Sequence, residues 1–173
     1  MIQMVPVMTQ EDIVDLSELA GEIWREFFPG IITKEQVEYM LDMFLSPEAL
    51  KEQIEAGTEV FFIEDEDGND IGFTVVRPDY EDGRLFLSKI YLKQSERGKG
   101  RSTQAMNFLE ALTFARGLDK IWLTVNRNND TAIPVYKHRG FQVIEEKAGD
   151  IGEGYVMDDY IMELDLRNPV EAV

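Results

Sequence analysis

Apolar residues recur at helical spacing through much of residues 9–57, after a short alternating stretch that predicts a first strand. Thr9 and Asp12 are typical of a capping box, which marks the beginning of a helix. A Pro-Gly pair and a Ser-Pro pair interrupt the pattern, so three helices are expected instead of one. The predicted elements are a strand over residues 2–7 and helices that begin at Thr9, Thr33 and Ser46, the last of which ends at Gly57.

From residue 58 onward the pattern changes to short apolar runs separated by turns. An acidic segment with an Asp-Gly pair at residues 65–70 is typical of a hairpin turn between two strands. Helical spacing returns later, and Pro134 restricts the beginning of the last short helix to near Asp130. The predicted elements are strands over 58–64, 71–77, 84–92, 120–125, 141–146 and 160–166, helices over 104–116 and from about 130 to Gly140, and a polar tail after Leu166.

The order of these elements predicts the fold class. It is β, α, α, α, β, β, β, α, β, α, β, β, in which a run of antiparallel strands precedes a strand–helix–strand crossover. This order implies an α/β (α+β) protein with a mixed, mostly antiparallel central sheet and helices on both faces. The 173 residues match the size of one domain with a real core, so a single domain over residues 1–173 is expected. No apolar run has transmembrane length, so no membrane partner is expected.

The chain is strongly acidic, with a net charge of −17. Nucleic acid is therefore not expected as a partner, because binding it requires a basic surface. A surface this negative attracts cations and steers cationic substrates, although solubility explains the same charge equally well. The absence of cysteine excludes a disulfide framework, a thiolate metal site and a cysteine acyl-enzyme. It also fits a cytoplasmic protein, and no metal site is expected.

One short segment differs from this acidic background. Residues 93–101 hold four cations against one anion, Glu96, and they contain Gly98 and Gly100 between a predicted strand and a predicted helix. Glycines let a backbone approach a ligand closely, and the first turn of a helix offers unpaired N–H groups and a partial positive charge. The segment therefore predicts an anion site, most simply for phosphate. Its spacing matches neither a P-loop nor a dinucleotide-binding fingerprint.

Two linked motifs resemble one known family. The run Arg97-x-x-Gly100-x-Ser102 resembles the [Q/R]-x-x-G-x-[G/A] signature of the GCN5-related N-acetyltransferases (GNAT), although serine replaces the last small residue. The resemblance is specific over residues 85–141. Downstream, the family's N-x-x-A-x-x-x-Y-x-x-x-G-F spacing is matched by Asn129, Ala132, Tyr136, Gly140 and Phe141.

The resemblance implies a fold, a co-substrate and a set of site residues. In this family a central strand splay holds the thioester of acetyl-CoA, and an amine attacks it directly in a ternary complex. Tyr136 is then the expected catalytic residue, as proton donor or stabiliser of the leaving thiolate, with packing beside Phe141 as the alternative role. The expected cofactor-binding residues are Ile90, Tyr91 and Leu92 through their backbone, Arg97, Gly98, Lys99, Gly100, Arg101, Ser102 and Thr103 in the loop, and Asn129, Tyr136 and Lys137.

Four segments, residues 24–28, 87–92, 121–126 and 155–162, resemble the bacterial spermidine/spermine N-acetyltransferases in particular. The last lacks the glycine that follows the equivalent of Met157 in that subfamily. This resemblance implies a polyamine or another small, cationic primary amine as acceptor. A protein or peptide amine, and a non-catalytic acyl-CoA-binding regulatory module, stay open as alternatives, and the family often forms homodimers.

The general base is the role that the sequence leaves unassigned. His138 lies two residues after Tyr136, about 200° round the helix, and is expected to point elsewhere. Deprotonation through ordered water is as good an alternative as any carboxylate. The acidic residues that we expect near the acceptor are Glu22, Glu26, Asp79, Glu81, Asp158 and Asp159.

Overall fold

The computed structural model describes residues 1–167, so the polar tail predicted after Leu166 lies almost entirely outside the described residues. Contacts within the chain group its residues into two compact units. The first unit contains Met1–Arg77 and Ser88–Ala111, and the second contains Pro78–Leu87 and the residues from Leu112 onward. The expectation of a single domain over residues 1–173 stays a prediction. None of the described helices is both long enough and apolar enough to cross a bilayer.

The order of the helices and strands agrees with the predicted order. α5 begins two residues later than predicted and still keeps Pro134 in its first turn. The strands are β1 (Gln3–Pro6), β2 (Glu59–Glu64), β3 (Asp70–Asp79), β4 (Arg84–Leu92), β5 (Lys120–Asn126), β6 (Gln142–Gly152) and β7 (Tyr155–Asp165). The helices are α1 (Gln10–Phe27), α2 (Lys34–Leu45), α3 (Pro47–Glu55), α4 (Arg101–Ala115) and α5 (Ala132–Arg139), and a short 3-10 turn covers Gln94–Glu96.

The capping residues begin the first three helices as predicted. The Asp12 N–H donates to the Thr9 hydroxyl at 3.0 Å, and the Asp12 carboxylate accepts from the Thr9 N–H at 3.0 Å. Thr33 caps α2 through its hydroxyl. Ser46 caps α3 in the same way, and Pro47 occupies the first turn. These local bonds satisfy N–H groups that a helix cannot satisfy internally, which is why the residue types predict the boundaries.

Three predicted boundaries are wrong. α4 begins at Arg101, three residues earlier than predicted, because its first turn carries no apolar residue that periodicity could detect. β6 continues to Gly152 and β7 begins at Tyr155, so the hairpin between them is much longer than predicted. The added part is mostly exposed or half-buried, and antiparallel hydrogen bonds form between backbones without a buried apolar face. The chain reverses through Glu153 and Gly154, which both have positive φ.

In the first unit, helices cover both faces of the sheet. Strands β1, β2 and β3 pair antiparallel. Tyr91 of β4 packs on Trp24 of α1, with 5.5 Å between ring centroids. The next residue, Leu92, belongs to an apolar cluster with Ala105 of α4. Because successive strand residues point to opposite faces, α1 and α4 lie on opposite faces of β4.

In the second unit, Arg84–Leu87 of β4 pairs parallel with Lys120–Leu123 of β5. β7 pairs antiparallel with both β5 and β6. The strand order of the seven-stranded sheet is β1-β2-β3-β4-β5-β7-β6, so the predicted mixed, mostly antiparallel fold class is confirmed. β4 continues from Ser88 to Leu92 beyond its last parallel pair.

Candidate active site

The predicted anion loop connects β4 to α4 in the first unit. Gly98 and Gly100 have φ of 77° and 76°, a backbone region that side chains other than glycine rarely adopt. A Cβ atom built on either glycine would meet no atom within 4 Å, so both backbones face open space. The first intrahelical bond of α4 runs from the Gln104 N–H to the Gly100 carbonyl at 3.3 Å. The N–H groups of residues 101–103 precede that bond, so this helix start suits an anion.

The basic side chains of the loop have partners within the first unit. Arg101 is 3.0 Å from Glu96 and 3.3 Å from Glu66, and its side chain is 13% exposed. Lys99 reaches Glu96 at 3.3 Å. Arg97 donates to the Leu92 carbonyl at 3.2 Å, and its guanidinium lies over an aromatic ring at 5.0 Å. Arg101 therefore holds the loop in place, whereas Arg97 and Lys99 lie at the exposed surface.

The strand segment that leads into the loop depends on a glycine that the sequence analysis did not single out. A Cβ atom on Gly72 of β3 would lie 2.4 Å from the Tyr91 carbonyl oxygen and 2.8 Å from the Leu92 side chain. Only glycine lets β3 approach β4 this closely. The Tyr91 ring packs among aromatic residues, including Trp24 at 5.5 Å and Phe73 at 5.7 Å between centroids. The ring of Tyr91 therefore has a packing role.

Lys89 is a second residue that the sequence analysis gave no role. Its Nζ donates to the Ser88 hydroxyl at 2.9 Å and lies 5.4 Å from the centroid of Phe44. The hydroxyl of Thr74 donates to the Lys89 carbonyl at 2.8 Å, which holds this strand residue in place. Burial lowers the pKa of the Lys89 amine to about 8. A charged lysine in an apolar run is the only sequence signal that could have drawn attention to it.

In the second unit, Asn129 caps the helix that carries Tyr136. Its Oδ1 accepts from the Ala132 N–H at 3.0 Å, and its own N–H donates to the Asn126 carbonyl at 2.9 Å. The side chain is buried. Gly140, with φ of 110°, ends this helix. The capping role of Asn129 is therefore established in the structure, while its predicted contact with the cofactor stays a prediction.

Tyr136 lies on α5 with its ring against Phe141, at 5.5 Å between centroids in an edge-to-face arrangement. The residue is half-buried, and desolvation of its phenol raises the pKa to about 12. A phenol with this pKa stays protonated across the physiological range. The next two residues, Lys137 and His138, are exposed. The structure thus supplies the predicted packing on Phe141 and also a protonated hydroxyl.

The six predicted carboxylates differ in environment. Glu22 pairs with Lys93 at 3.6 Å, and Glu26 accepts from the Gln94 N–H at 3.1 Å. Asp79 accepts from a backbone N–H in its own turn, and Glu81 is exposed. Asp158 pairs with Arg127 at 2.9 Å. Among these six, Asp159 alone is buried. Its pKa is raised to about 6, mainly by burial and secondly by the charge of Asp158.

The comparisons with known proteins agree with this geometry. Residues 18–141 match the model of the acetyltransferase (GNAT) family. The chain belongs to this family. An uncharacterized N-acetyltransferase of Mycobacterium tuberculosis is 27% identical over 158 residues, which are 89% of this chain and 99% of that protein.

Two solved structures illustrate the shared GNAT fold. The PaiA N-acetyltransferase of Thermoplasma acidophilum, in complex with coenzyme A, is 24% identical, with a TM-score of 0.77 over 95% of this chain and 99% of that chain. Mutant forms of the spermidine/spermine N-acetyltransferase SpeG of Vibrio cholerae are 18% identical, with a TM-score of 0.68 over 96% and 94% of the two chains. At these identities the likeness establishes the fold alone.

Membership of the GNAT family makes this chain an N-acetyltransferase, with acetyl-CoA as the acetyl donor that the family uses. The resemblance stated from the motifs at residues 97–102 and 129–141 is thereby confirmed. The described residues fit that donor, because the loop combines two left-handed glycines, open space and a helix start. The individual cofactor-binding and catalytic assignments stay predictions.

Proposed function

We propose that this GNAT protein transfers the acetyl group of acetyl-CoA to a primary amine of a small, cationic molecule, with a polyamine as the first candidate. The amine attacks directly, in a ternary complex. The observation that carries the proposal is the loop at residues 97–103. Its two left-handed glycines and the first turn of α4 form a backbone cradle of the kind that binds phosphate.

In this proposal the N–H groups of the loop and of the first turn of α4 hold the pyrophosphate. Arg97 and Lys99 add positive charge at the exposed side, and Arg101 keeps the loop in position through Glu66 and Glu96. The backbone of Ile90–Leu92 aligns the arm of the donor, and Asn129 and Lys137 are proposed as further contacts. When bound, acetyl-CoA supplies an acetyl group activated as a thioester.

Tyr136 is proposed to stabilise the sulfur that leaves. Its phenol pKa of about 12 lies roughly three units above that of an ordinary thiol, so complete proton transfer to a thiolate is unfavourable. The hydroxyl therefore acts as a hydrogen-bond donor whose interaction strengthens as negative charge develops on sulfur. Removal of this hydroxyl is therefore predicted to lower turnover by about 10- to 1000-fold.

Two observations support a cationic acceptor. The net charge of −17 produces a negative field that raises the local concentration of polycations. Solved structures of SpeG, a spermidine/spermine N-acetyltransferase, share this fold. A cytoplasmic location and a homodimer stay predictions from the sequence.

The proposed function is tested by the release of free CoA thiol from acetyl-CoA. Spermidine, spermine, a lysine-bearing peptide and a sample without acceptor are compared in parallel. Because the chain has no cysteine, the protein contributes no thiol background. We expect release that depends on a polyamine, whereas release with the peptide alone would contradict the polyamine assignment.

A protein or peptide amine is the second candidate acceptor, and the same assay identifies it. A non-catalytic acyl-CoA-binding module is the alternative of a different class. The serine at position 102, where the family pattern has glycine or alanine, is compatible with it, whereas the retention of Tyr136 argues against it. Binding of acetyl-CoA without thiol release from any amine would support this module and contradict the enzyme.

A further inference from the structure

Asp159 stands out among the described residues as a buried acid. It is the one charged side chain of residues 1–167 in the buried class, at 6% exposed, and its Oδ1 has no hydrogen-bond partner within that part of the chain. Buried carboxylates are normally paired or hydrogen-bonded, since an isolated one costs several kcal/mol. An inward-facing, unpartnered carboxylate oxygen therefore points to a ligand that donates a hydrogen bond or carries positive charge.

The charged groups around Asp159 do not neutralise it. Its cross-strand neighbours are Asn126 on β5 and Lys147 on β6. Lys147 is exposed. Its charge lowers the pKa of Asp159, but burial and the charge of Asp158 together raise that pKa by more. Arg127, at the end of β5, is occupied by Asp158 at 2.9 Å and lies 3.9 Å from Glu146 of β6. The local balance of charge therefore favours an additional cation at Asp159.

The position of Asp159 links it to the segment that carries Tyr136. Asn126 is the cross-strand neighbour of Asp159 and the last residue of β5. The Arg127 N–H then donates to the Asp158 carbonyl at 3.0 Å, which holds the β5–α5 connection against β7. Three residues after Asn126, Asn129 caps the helix on which Tyr136 lies. The buried carboxylate and the proposed thiolate stabiliser are thus positioned by the same end of β5.

We propose that Asp159 binds the ammonium group of the acceptor amine and receives the first proton that this group loses. The inference rests on the proposed acetyl transfer. Because the acid is desolvated, a neutral amine beside a protonated carboxyl is favoured there more than it would be in water. Asp159 would thus supply the base that the sequence left unassigned among six carboxylates.

The protons and bonds balance in this step. One ammonium proton moves to the Asp159 carboxylate and later leaves to solvent, which frees the nitrogen lone pair. That lone pair forms the C–N bond with the acetyl carbon as the C–S bond breaks. The nitrogen then loses its second proton, which goes to the sulfur of the leaving group, so the products are an N-acetyl amine and a free thiol.

The test compares Asp159→Asn with Asp150→Asn. Each substitution removes one negative charge from the β6–β7 hairpin, and asparagine keeps the volume of aspartate. We expect Asp159→Asn to lower kcat/KM for spermidine about 100-fold or more, the scale of a positioned base, with unchanged acetyl-CoA affinity. Asp150→Asn is expected to change kcat/KM by less than about 5-fold, because Asp150 is exposed and asparagine retains the side-chain oxygen that accepts from the Gly152 N–H.

Two further measurements separate a chemical role from a structural one. The kcat/KM of the wild type should fall as the pH decreases through about 6, where Asp159 takes up a proton, and Asp150→Asn should keep this acid limb. Spermidine should raise the Tm of the wild type and of Asp150→Asn at pH 7.5, and should leave the Tm of Asp159→Asn unchanged.

Each outcome decides for or against Asp159. Full activity of Asp159→Asn with the acid limb retained would overturn the proposal, as would a wild-type profile that stays flat between pH 5 and pH 7. The wild-type profile gives this answer even where the variant does not fold. Failure of the proposed function gives a different result. If no amine causes thiol release but spermidine still raises the Tm in a way that depends on Asp159, the cation site is supported and the acetyl transfer is contradicted.

Discussion

The loop at residues 97–103 and the inner residue Asp159 both carry charge, but in opposite settings. The loop is exposed, and its arginines and lysine have carboxylate, carbonyl or aromatic partners in the same unit. Asp159 is buried, and its Oδ1 has no partner among the described residues. In our proposals the loop binds through its backbone geometry, whereas Asp159 binds through a carboxylate oxygen that has no partner among the described residues.

This difference teaches where chemistry can be recognised. Backbone geometry at the loop requires glycine at two positions, and glycine is visible in any sequence. The reactivity of a buried acid depends on its surroundings, because desolvation and neighbouring charge set its pKa. Lys89 in the first unit illustrates the same point with the opposite sign, since burial lowers the pKa of its amine to about 8.

The largest expected effect comes from Gly100→Leu. A leucine there adopts a strained backbone and projects into the open space where the loop would hold phosphate, so acetyl-CoA binding should fall by at least about 100-fold. Calorimetric titration with acetyl-CoA measures this loss. Gly117→Leu is the matched control, because Gly117 has φ of 75° and equally open surroundings at the end of α4. Normal binding by Gly100→Leu would contradict the role of the loop.

The next effect is that of Tyr136→Phe. Loss of the hydroxyl should lower kcat by about 10- to 1000-fold, since only the interaction with the leaving sulfur is removed. The acetyl-CoA dissociation constant should change little, because the ring still packs on Phe141. Steady-state kinetics and a binding titration separate the two. An unchanged kcat would mean that Tyr136 is a packing residue only.

A smaller effect is expected from Gly72→Ala. The added methyl group would overlap the Tyr91 carbonyl at 2.4 Å, so β4 must shift at the segment proposed to align the donor. We expect a loss of about 1–3 kcal/mol of stability, typical of overpacking, together with weaker acetyl-CoA binding. Urea denaturation and titration measure the two effects. Gly149→Ala, a strand glycine with nothing within 4 Å, should be neutral, and equal behaviour of both variants would refute the close approach.

The smallest effect concerns Lys89→Met. The pKa of Lys89 is lower in the folded than in the unfolded chain, so the folded state pays for charging this amine below about pH 8. That cost is relieved as the pH rises from about 8 to about 10.4. Lys89→Met should therefore raise the Tm at pH 7 and lose this advantage near pH 10.

Lys93→Met serves as the control for this experiment. Lys93 is also partly buried on the same stretch of chain, but it has a carboxylate partner in Glu22 at 3.6 Å. Its replacement should bring no gain in Tm at pH 7. A gain of the same size in both variants would show that apolar substitution on this stretch of chain, and not the buried charge of Lys89, is the cause.

Much of the fold could be predicted because local physics determines it. Thr9, Thr33 and Ser46 begin their helices through side-chain bonds to residues only three positions away. The periodicity of the apolar residues predicted the helices and strands in their correct order along the chain. The outer part of the β6–β7 hairpin could not be predicted, because its bonds are made between backbones and no buried apolar face marks it.

The sequence by itself determined the family and predicted the anion loop and the tyrosine, since these depend on glycine, charge and spacing over a short stretch of chain. Only the tertiary structure decided that Gly72 must be glycine, that Lys89 has no countercharge within residues 1–167 and that Asp159 differs from five other candidate acids. The physical reason is that close approach and desolvation are produced by residues distant in sequence. Every aspartate carries the same carboxylate group in the sequence. Burial beside β5 and β6 is what makes Asp159 different from the other candidate acids.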